Sequence, residues 1–176
     1  MTGPSTTRRT SHERGVSLIE TMFATGILLT GIAGLLNLFT VAVARSKSQG
    51  EASYLATTYS QAKMEQLLGL SFNDAATDTT LQPPQPSGGT GLCGTMAANT
   101  TCGSVYPADP LAGYADYLDY RGRHVAGPSG ASFVRQWSIS TGTNPNLKTL
   151  TVSTTGPALQ PGLQPYTVLI SCKANF

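Results

Sequence analysis

The sequence predicts an α+β fold: one long N-terminal helix, membrane-spanning in its first half, packed by its second half on a small antiparallel sheet in a roll. Three observations predict it. Residues 21–44 are uncharged and mostly apolar; residues 51–70 lack proline and gather apolar side chains on one helical face; and the final third of the chain alternates apolar and polar residues in short runs.

The apolar run comes first. From 16 to 44 the sequence reads VSLIETMFATGILLTGIAGLLNLFTVAVA, with Glu20 its only charge. A bilayer span takes roughly 20 residues at about 1.5 Å each, so 21–44 crosses without drawing Glu20 to the membrane centre. Arg8, Arg9 and Arg14 precede the run, and Arg45 and Lys47 follow it. A short basic N-terminus stays in the cytoplasm, which sends residues 45–176 to the other side. Ala42-Val43-Ala44 has the small residues of a secretory cleavage site, but the run is about twice the usual 7 to 15 apolar residues and carries a carboxylate. Arg8-Arg9 lacks the close-following apolar residues of a twin-arginine signal. Gly26, Gly31 and Gly34 read as ordinary membrane-helix glycines, or as places where a second helix comes close.

Glu20 carries the most information. A carboxylate at the membrane centre costs on the order of 3 kcal/mol, so one beside an apolar run either reaches the headgroups or has a partner. The order Arg14-Gly15-Val16-Ser17-Leu18-Ile19-Glu20 ahead of a long apolar helix resembles the processing signature of type IV prepilins. The resemblance implies that a prepilin peptidase cuts after Gly15, that the new amino terminus of Val16 is methylated, and that Glu20 meets the free amino terminus of a neighbouring subunit during assembly. Val16 in place of the phenylalanine of most major pilins, and the absence of a proline from the apolar helix, lean towards a minor pilin or a pseudopilin of type II secretion. Its implied partners are the peptidase, other pilin or pseudopilin subunits, the inner membrane and the assembly platform. The implied location is the bacterial inner membrane, single-pass with the head in the periplasm, and then a pilus or pseudopilus.

Beyond the membrane the helix is expected to run on over 45–70. Ala52, Leu55, Ala56, Tyr59, Ala62, Leu67 and Leu70 share a face that Lys63 and Gln66 interrupt. Residues 73–103, rich in Thr, Pro, Gly and Ala with Pro83-Pro84 and Gly88-Gly89, read as an irregular loop. Residues 114–125 read as a hairpin turning near Arg121-Gly122. Three clearer strands follow at 132–140, 147–154 and 166–171, the first placing Phe133, Arg135, Trp137 and Ile139 on one face, with turns at Gly142, Asn144, Pro145, Gly156 and Pro161. The stretches DYLDYRG, FVRQWSIS and NLKTLTVST look like the C-terminal part of minor pilins of the PilV class. The chain thus divides into a leader (1–15), a transmembrane and assembly helix (16–44), its amphipathic continuation (45–70) and a head of three to five strands (71–176).

Composition narrows the chemistry. Three of the eleven cations and one of the nine carboxylates lie in the first fifteen residues, which leaves eight against eight and no basic footprint for nucleic acid. Charged residues are only 11%, beside 19 Gly and 11 Pro, which suits a loop-rich extracytoplasmic domain. Cys93 and Cys102 are spaced for a disulfide-closed loop, which leaves Cys172 odd or pairs it with one of them. No zinc pattern, cofactor motif or nucleophile motif is present, and His124 reads as a solvated loop residue, so no enzyme is expected. Asp109, Asp116 and Asp119 could offer oxygens to calcium but lack the calcium-loop spacing and read as surface charges. Trp137 reads as core; Tyr106, Tyr114, Tyr117 and Tyr120 read as loop cover or as an adhesive surface, with the Cys93 loop as the first candidate contact surface. The competing reading is a tethered binding domain whose helix is only an anchor.

Overall fold

The computed structural model describes residues 17–106, 109–158 and 164–175. Gly15, Val16, the leader and Pro161 lie outside the described residues. Contacts divide the chain into two units, Met1–Arg45 and Ser46–Phe176, and one helix, α1 (Leu18–Gly69), runs through both.

In the first unit the helix is long and apolar enough to cross a membrane, with a window of mean hydropathy 2.2 and none of it buried. Its polar side chains bond back to their own helix. The hydroxyls of Thr21, Thr25, Thr30 and Thr40 donate to the carbonyls of Leu18, Thr21, Gly26 and Leu36, and the Asn37 amide donates to Ala33 O at 3.1 Å. Such back-bonding lets polar residues sit in hydrocarbon without an outside partner. Ser17 stands just before the helix, and its carbonyl accepts the N–H groups of Glu20 (2.9 Å) and Thr21 (3.2 Å).

The second unit is a six-stranded antiparallel sheet with the rest of α1 on one face. Its strands are β1 (Thr101–Gly103), β2 (Ala115–Leu118), β3 (His124–Val125), β4 (Phe133–Thr141), β5 (Leu147–Thr155) and β6 (Tyr166–Ala174). The spatial order is β3-β2-β4-β5-β6, and β1 pairs with β4 at residues 138–140, beyond the reach of β2. The α+β architecture is the expected one, with β1 added at the end of the stretch read as loop and β6 three residues longer than its apolar alternation. The hairpin at 114–125 is present, and its turn is tied by Asp119, which accepts the N–H groups of Arg121 (2.8 Å) and Arg123 (2.9 Å). Gly122 has φ +78° in that turn, and a Cβ there would fall 2.8 Å from the Tyr59 ring, so both conformation and space require glycine.

The core forms where α1, β4 and β5 meet. Met64 and Leu67 pack with Trp137, Ile139, Leu150 and Val152, and register sets Trp137 opposite Val152. The long loop contributes Leu92 and Met96 to this cluster. A smaller cluster joins Ala56, Leu118 and Phe133, with the Tyr59 ring edge-on to Phe133 at 5.1 Å. The buried face of α1 is Ala52, Ala56, Ser60, Lys63, Met64 and Leu67. Two expectations are corrected here: Ala62 is exposed, and Lys63, read as an interruption, is wholly buried within the stripe.

Candidate functional site: the exposed helix and its carboxylate

Glu20 lies in the first turn of α1 and is exposed. A carboxylate there is stabilised by the partial positive charge of the helix start. Ser17 and Glu20 also have the Ser-x-x-Glu spacing of a capping box, a signal that the sequence reading passed over. Among the described residues no ion pair engages Glu20. Around it Leu18, Ile19, Met22 and Phe23 are all more than 60% exposed, so the carboxylate stands at the head of a bare apolar surface. Farther along, a Cβ added at Gly26, Gly31 or Gly34 would meet nothing within 4 Å, so nothing in the described chain packs against these glycines. Small residues on a bare helix face permit close approach of another helix.

The other candidate groups lie in the head, where most are structural. Asp116, read as a surface charge, is buried between two cations. The Arg135 guanidinium forks onto it, Nε to Oδ1 and Nη2 to Oδ2, each at 2.7 Å, and Lys63 Nζ lies 2.8 Å from Oδ2. Lys63 also donates to Gln66 Oε1 (2.9 Å) and to the Thr79 carbonyl, and it sits 4.0 Å above the Trp137 ring. Burial lowers its pKa to about 8, partly offset by the Asp116 carboxylate. The Arg135 fork takes both oxygens of Asp116, so the network ties α1, β2 and β4 together and presents no free acid or base.

Two more lysines hold main-chain carbonyls. Lys148 Nζ, buried under the loop, donates to Phe72 O (2.6 Å), Leu92 O (2.8 Å) and Gly94 O (2.5 Å), and desolvation pushes its pKa down. Lys173 on β6 donates to Leu68 O (2.5 Å) and to Leu70 O, satisfying carbonyls at the end of α1, whose last turn has no basic residue.

Cys93 and Cys102 meet, but as thiols; the disulfide that their spacing suits is not formed. Cys93 Sγ lies 3.0 Å from the Tyr114 hydroxyl, and the neighbouring Cys102 thiol adds to the rise of its pKa. Burial first, and that thiol contact second, push Cys93 up to about 12, and burial likewise raises Tyr114. Cys172 is exposed on β6.

His124 lies on β3 rather than in a loop, half-buried, with Nε2 lacking a hydrogen-bond partner among the described residues. Asp109 is exposed, Asp116 is paired and Asp119 is held below the usual carboxylate range by the Arg123 N–H and guanidinium. The three do not converge, and no group of three or more His, Cys, Asp or Glu that could hold a metal occurs among the described residues. Trp137 is fully buried and Tyr114 lies against it; Tyr117 is half-buried, while Tyr106 and Tyr120 are 67% and 43% exposed.

Compared with protein-family models, with characterised proteins and with solved structures, the chain finds no significant match.

Proposed function

We propose that the protein is a non-enzymatic filament subunit, a minor type IV pilin or pseudopilin, processed by prepilin peptidase between Gly15 and Val16, methylated on Val16 and assembled through α1. The observation that carries this reading is the run from Arg14 to Glu20 leading into a bare apolar helix. That helix satisfies its threonines and asparagine internally and keeps one charge, at its start. Such a helix can exchange lipid for the helices of other subunits at little polar cost. Cleavage after Gly15 creates a cationic amine on Val16, and the amine of one subunit beside Glu20 of the next replaces hydration with a charge-assisted hydrogen bond in a low-dielectric setting. On this reading the subunit sits in the inner membrane with its head in the periplasm, meets the assembly platform, and enters a pilus or secretion pseudopilus. Its mechanism is assembly.

The test is the N-terminal residue and intact mass of the protein from its native membrane, with and without prepilin peptidase. A mature chain beginning at methylated Val16 only when the peptidase is present supports the proposal. Glu20→Ala is expected to leave cleavage and membrane insertion intact and to reduce incorporation into sheared filaments by about tenfold or more, the effect of losing about 1.4 kcal/mol per contact. Incorporation of that variant at the wild-type level would refute the role of Glu20.

A second reading, a tethered extracytoplasmic binding domain, is favoured by the capping-box spacing of Ser17 and Glu20, which gives the carboxylate a use within its own helix. It predicts an uncut leader and indifference of assembly to Glu20.

A further inference from the structure

The loop between Cys93 and Cys102, the first candidate contact surface of the sequence, forms one wall of a pocket of about 290 Å³ at the end of the head where α1 stops. Three other segments complete it: residues 72–73 after the helix, 145–146 in the turn from β4 to β5, and Asn175 after β6.

These walls are pinned through the main chain. Lys148 Nζ holds the Phe72 carbonyl at 2.6 Å, and the hydroxyls of Thr141 and Thr100 donate to Ala97 O at 2.5 and 2.7 Å. Asn99 takes a left-handed φ of +56°, which asparagine tolerates, and its N–H reaches Gly142 O at 2.9 Å. The Asn175 N–H donates to Asn146 O at 2.9 Å, and Asn144 Oδ1 accepts the Asn146 N–H at 3.0 Å. The side-chain amides of Asn73, Asn146 and Asn175 take no part in this frame. All three residues line the pocket, and none of these amides has a hydrogen-bond partner among the described residues. A fixed frame carrying free polar groups suits binding, because little ordering remains to be lost when a ligand arrives.

The lining also sets the chemistry of the ligand. Among the described residues no charged side chain lines the pocket. The charges adjoining its walls in sequence are spent, Lys148 on three carbonyls and Asp74 on the N–H groups of Ala76 and Thr77 and the Thr77 hydroxyl. An ionic ligand therefore finds no counter-charge. Each carboxamide both donates and accepts, which matches a hydroxyl, itself donor and acceptor. Phe72, Met96 and Pro145 add apolar surface for C–H groups. A neutral, compact molecule with several hydroxyls around a C–H body is a pyranose sugar. The volume falls at the lower end of small-molecule pockets, about 300 to 1,000 Å³, and so suits one ring; an extended peptide needs a longer groove.

We infer that this pocket binds one neutral pyranose residue, held by Asn73, Asn146 and Asn175. The inference uses the head alone and stands whether a filament or a simple anchor carries it.

The test uses the full-length protein in a detergent without sugar headgroups, with its asparagine side-chain amides isotope-labelled and followed by NMR. Methyl glycosides of glucose, galactose, mannose and N-acetylglucosamine are titrated to millimolar concentration. At least one is expected to shift the signals of Asn73, Asn146 and Asn175 together and to saturate. Asn146→Ala and Asn175→Ala should each weaken that binding by about tenfold, or about 1.4 kcal/mol, with the fluorescence of the buried Trp137 unaltered because neither side chain is bonded within the fold. Amide signals unmoved by all four glycosides, or an affinity unchanged in both variants, would overturn the inference. So would a shift produced by an end-capped alanine tripeptide and by no sugar. A disaccharide ending in the responsive sugar separates the sources: tighter binding than the methyl glycoside assigns the end of a glycan chain, equal binding a free sugar, and both keep the pyranose.

Discussion

The two parts of α1 use their polar residues in opposite ways. Along 18–45 leucine, isoleucine, phenylalanine and methionine face outward, and the threonines turn back to their own carbonyls. Along 46–69 the helix buries a serine and a lysine, and Tyr54 and Leu68 are exposed. The difference teaches that the parts answer to different surroundings. The first exposes apolar surface and satisfies its polar groups locally, as a helix placed in lipid or among other helices would have to. The second lies on a sheet that supplies specific partners, Asp116 for Lys63 and Thr154 for Ser60, so buried polar groups fix its position where apolar contact alone would let it slide.

The largest expected effect strikes the buried pairing. Asp116→Ala leaves Lys63 and Arg135 without their counterion and is expected to destabilise the head by about 3 to 5 kcal/mol, seen as a lower midpoint in denaturant, with membrane insertion of the first part unaffected. Loss of insertion as well would show that the two parts are not separate in energy. Next comes the loop that covers the head. Oxidising Cys93 and Cys102 to a disulfide is expected to add about 2 to 3 kcal/mol by restricting the unfolded chain. Unfolding with and without reductant measures it, and Cys102→Ser should abolish the difference.

A smaller effect follows from Lys63 titrating near 8 in the fold and at its ordinary higher value once unfolded. Above pH 8 the unfolded chain therefore holds more protons, and stability rises with pH over that interval. The raised Cys93 acts oppositely, from the ordinary thiol range up to about 12, so the slope above pH 8 is compared with that of a Lys63 variant that keeps Cys93. Lys63→Met should flatten the rise in melting temperature there, and an unchanged slope would remove Lys63 as its source. The smallest effect is the control. Leu29→Ala, on the bare part, is expected to leave the midpoint of the head within about 0.5 kcal/mol, as surface substitutions do.

How much of this was legible depends on whether the signal is local. The strands β4 and β5 were, because Phe133, Trp137, Ile139, Leu150 and Val152 alternate along their own segments. The helix was, because its apolar run and its stripe are periodic. Lys63 was not, since its reason for being buried lies on β2 and β4, and Asp116 was misread as a surface charge for the same cause. Leu92 and Met96 gave no warning because a loop has no period to betray which residues turn inward. The last three residues of β6 are held by pairing with Leu147, Lys148 and Thr149, a partnership that the apolar pattern of one segment does not reveal. The candidate site was legible as far as Glu20, because charge within an apolar run is a local signal; the Ser17 spacing, equally local, was overlooked. The contact between the two thiols matches their spacing, while their tie to Tyr114 depends on the folded sheet.

The lysine bridge from β6 to the end of α1 also sets an order of events. Leu68 and Leu70 receive Lys173 across more than a hundred residues of chain, and Thr57 meets Thr167 across a comparable interval. A polypeptide made from its N-terminus therefore has the whole of α1 synthesised long before these partners exist. Until β6 is made, the sheet lacks the strand that pairs with β5 and the end of α1 lacks the ammonium that satisfies its carbonyls, so the head closes late.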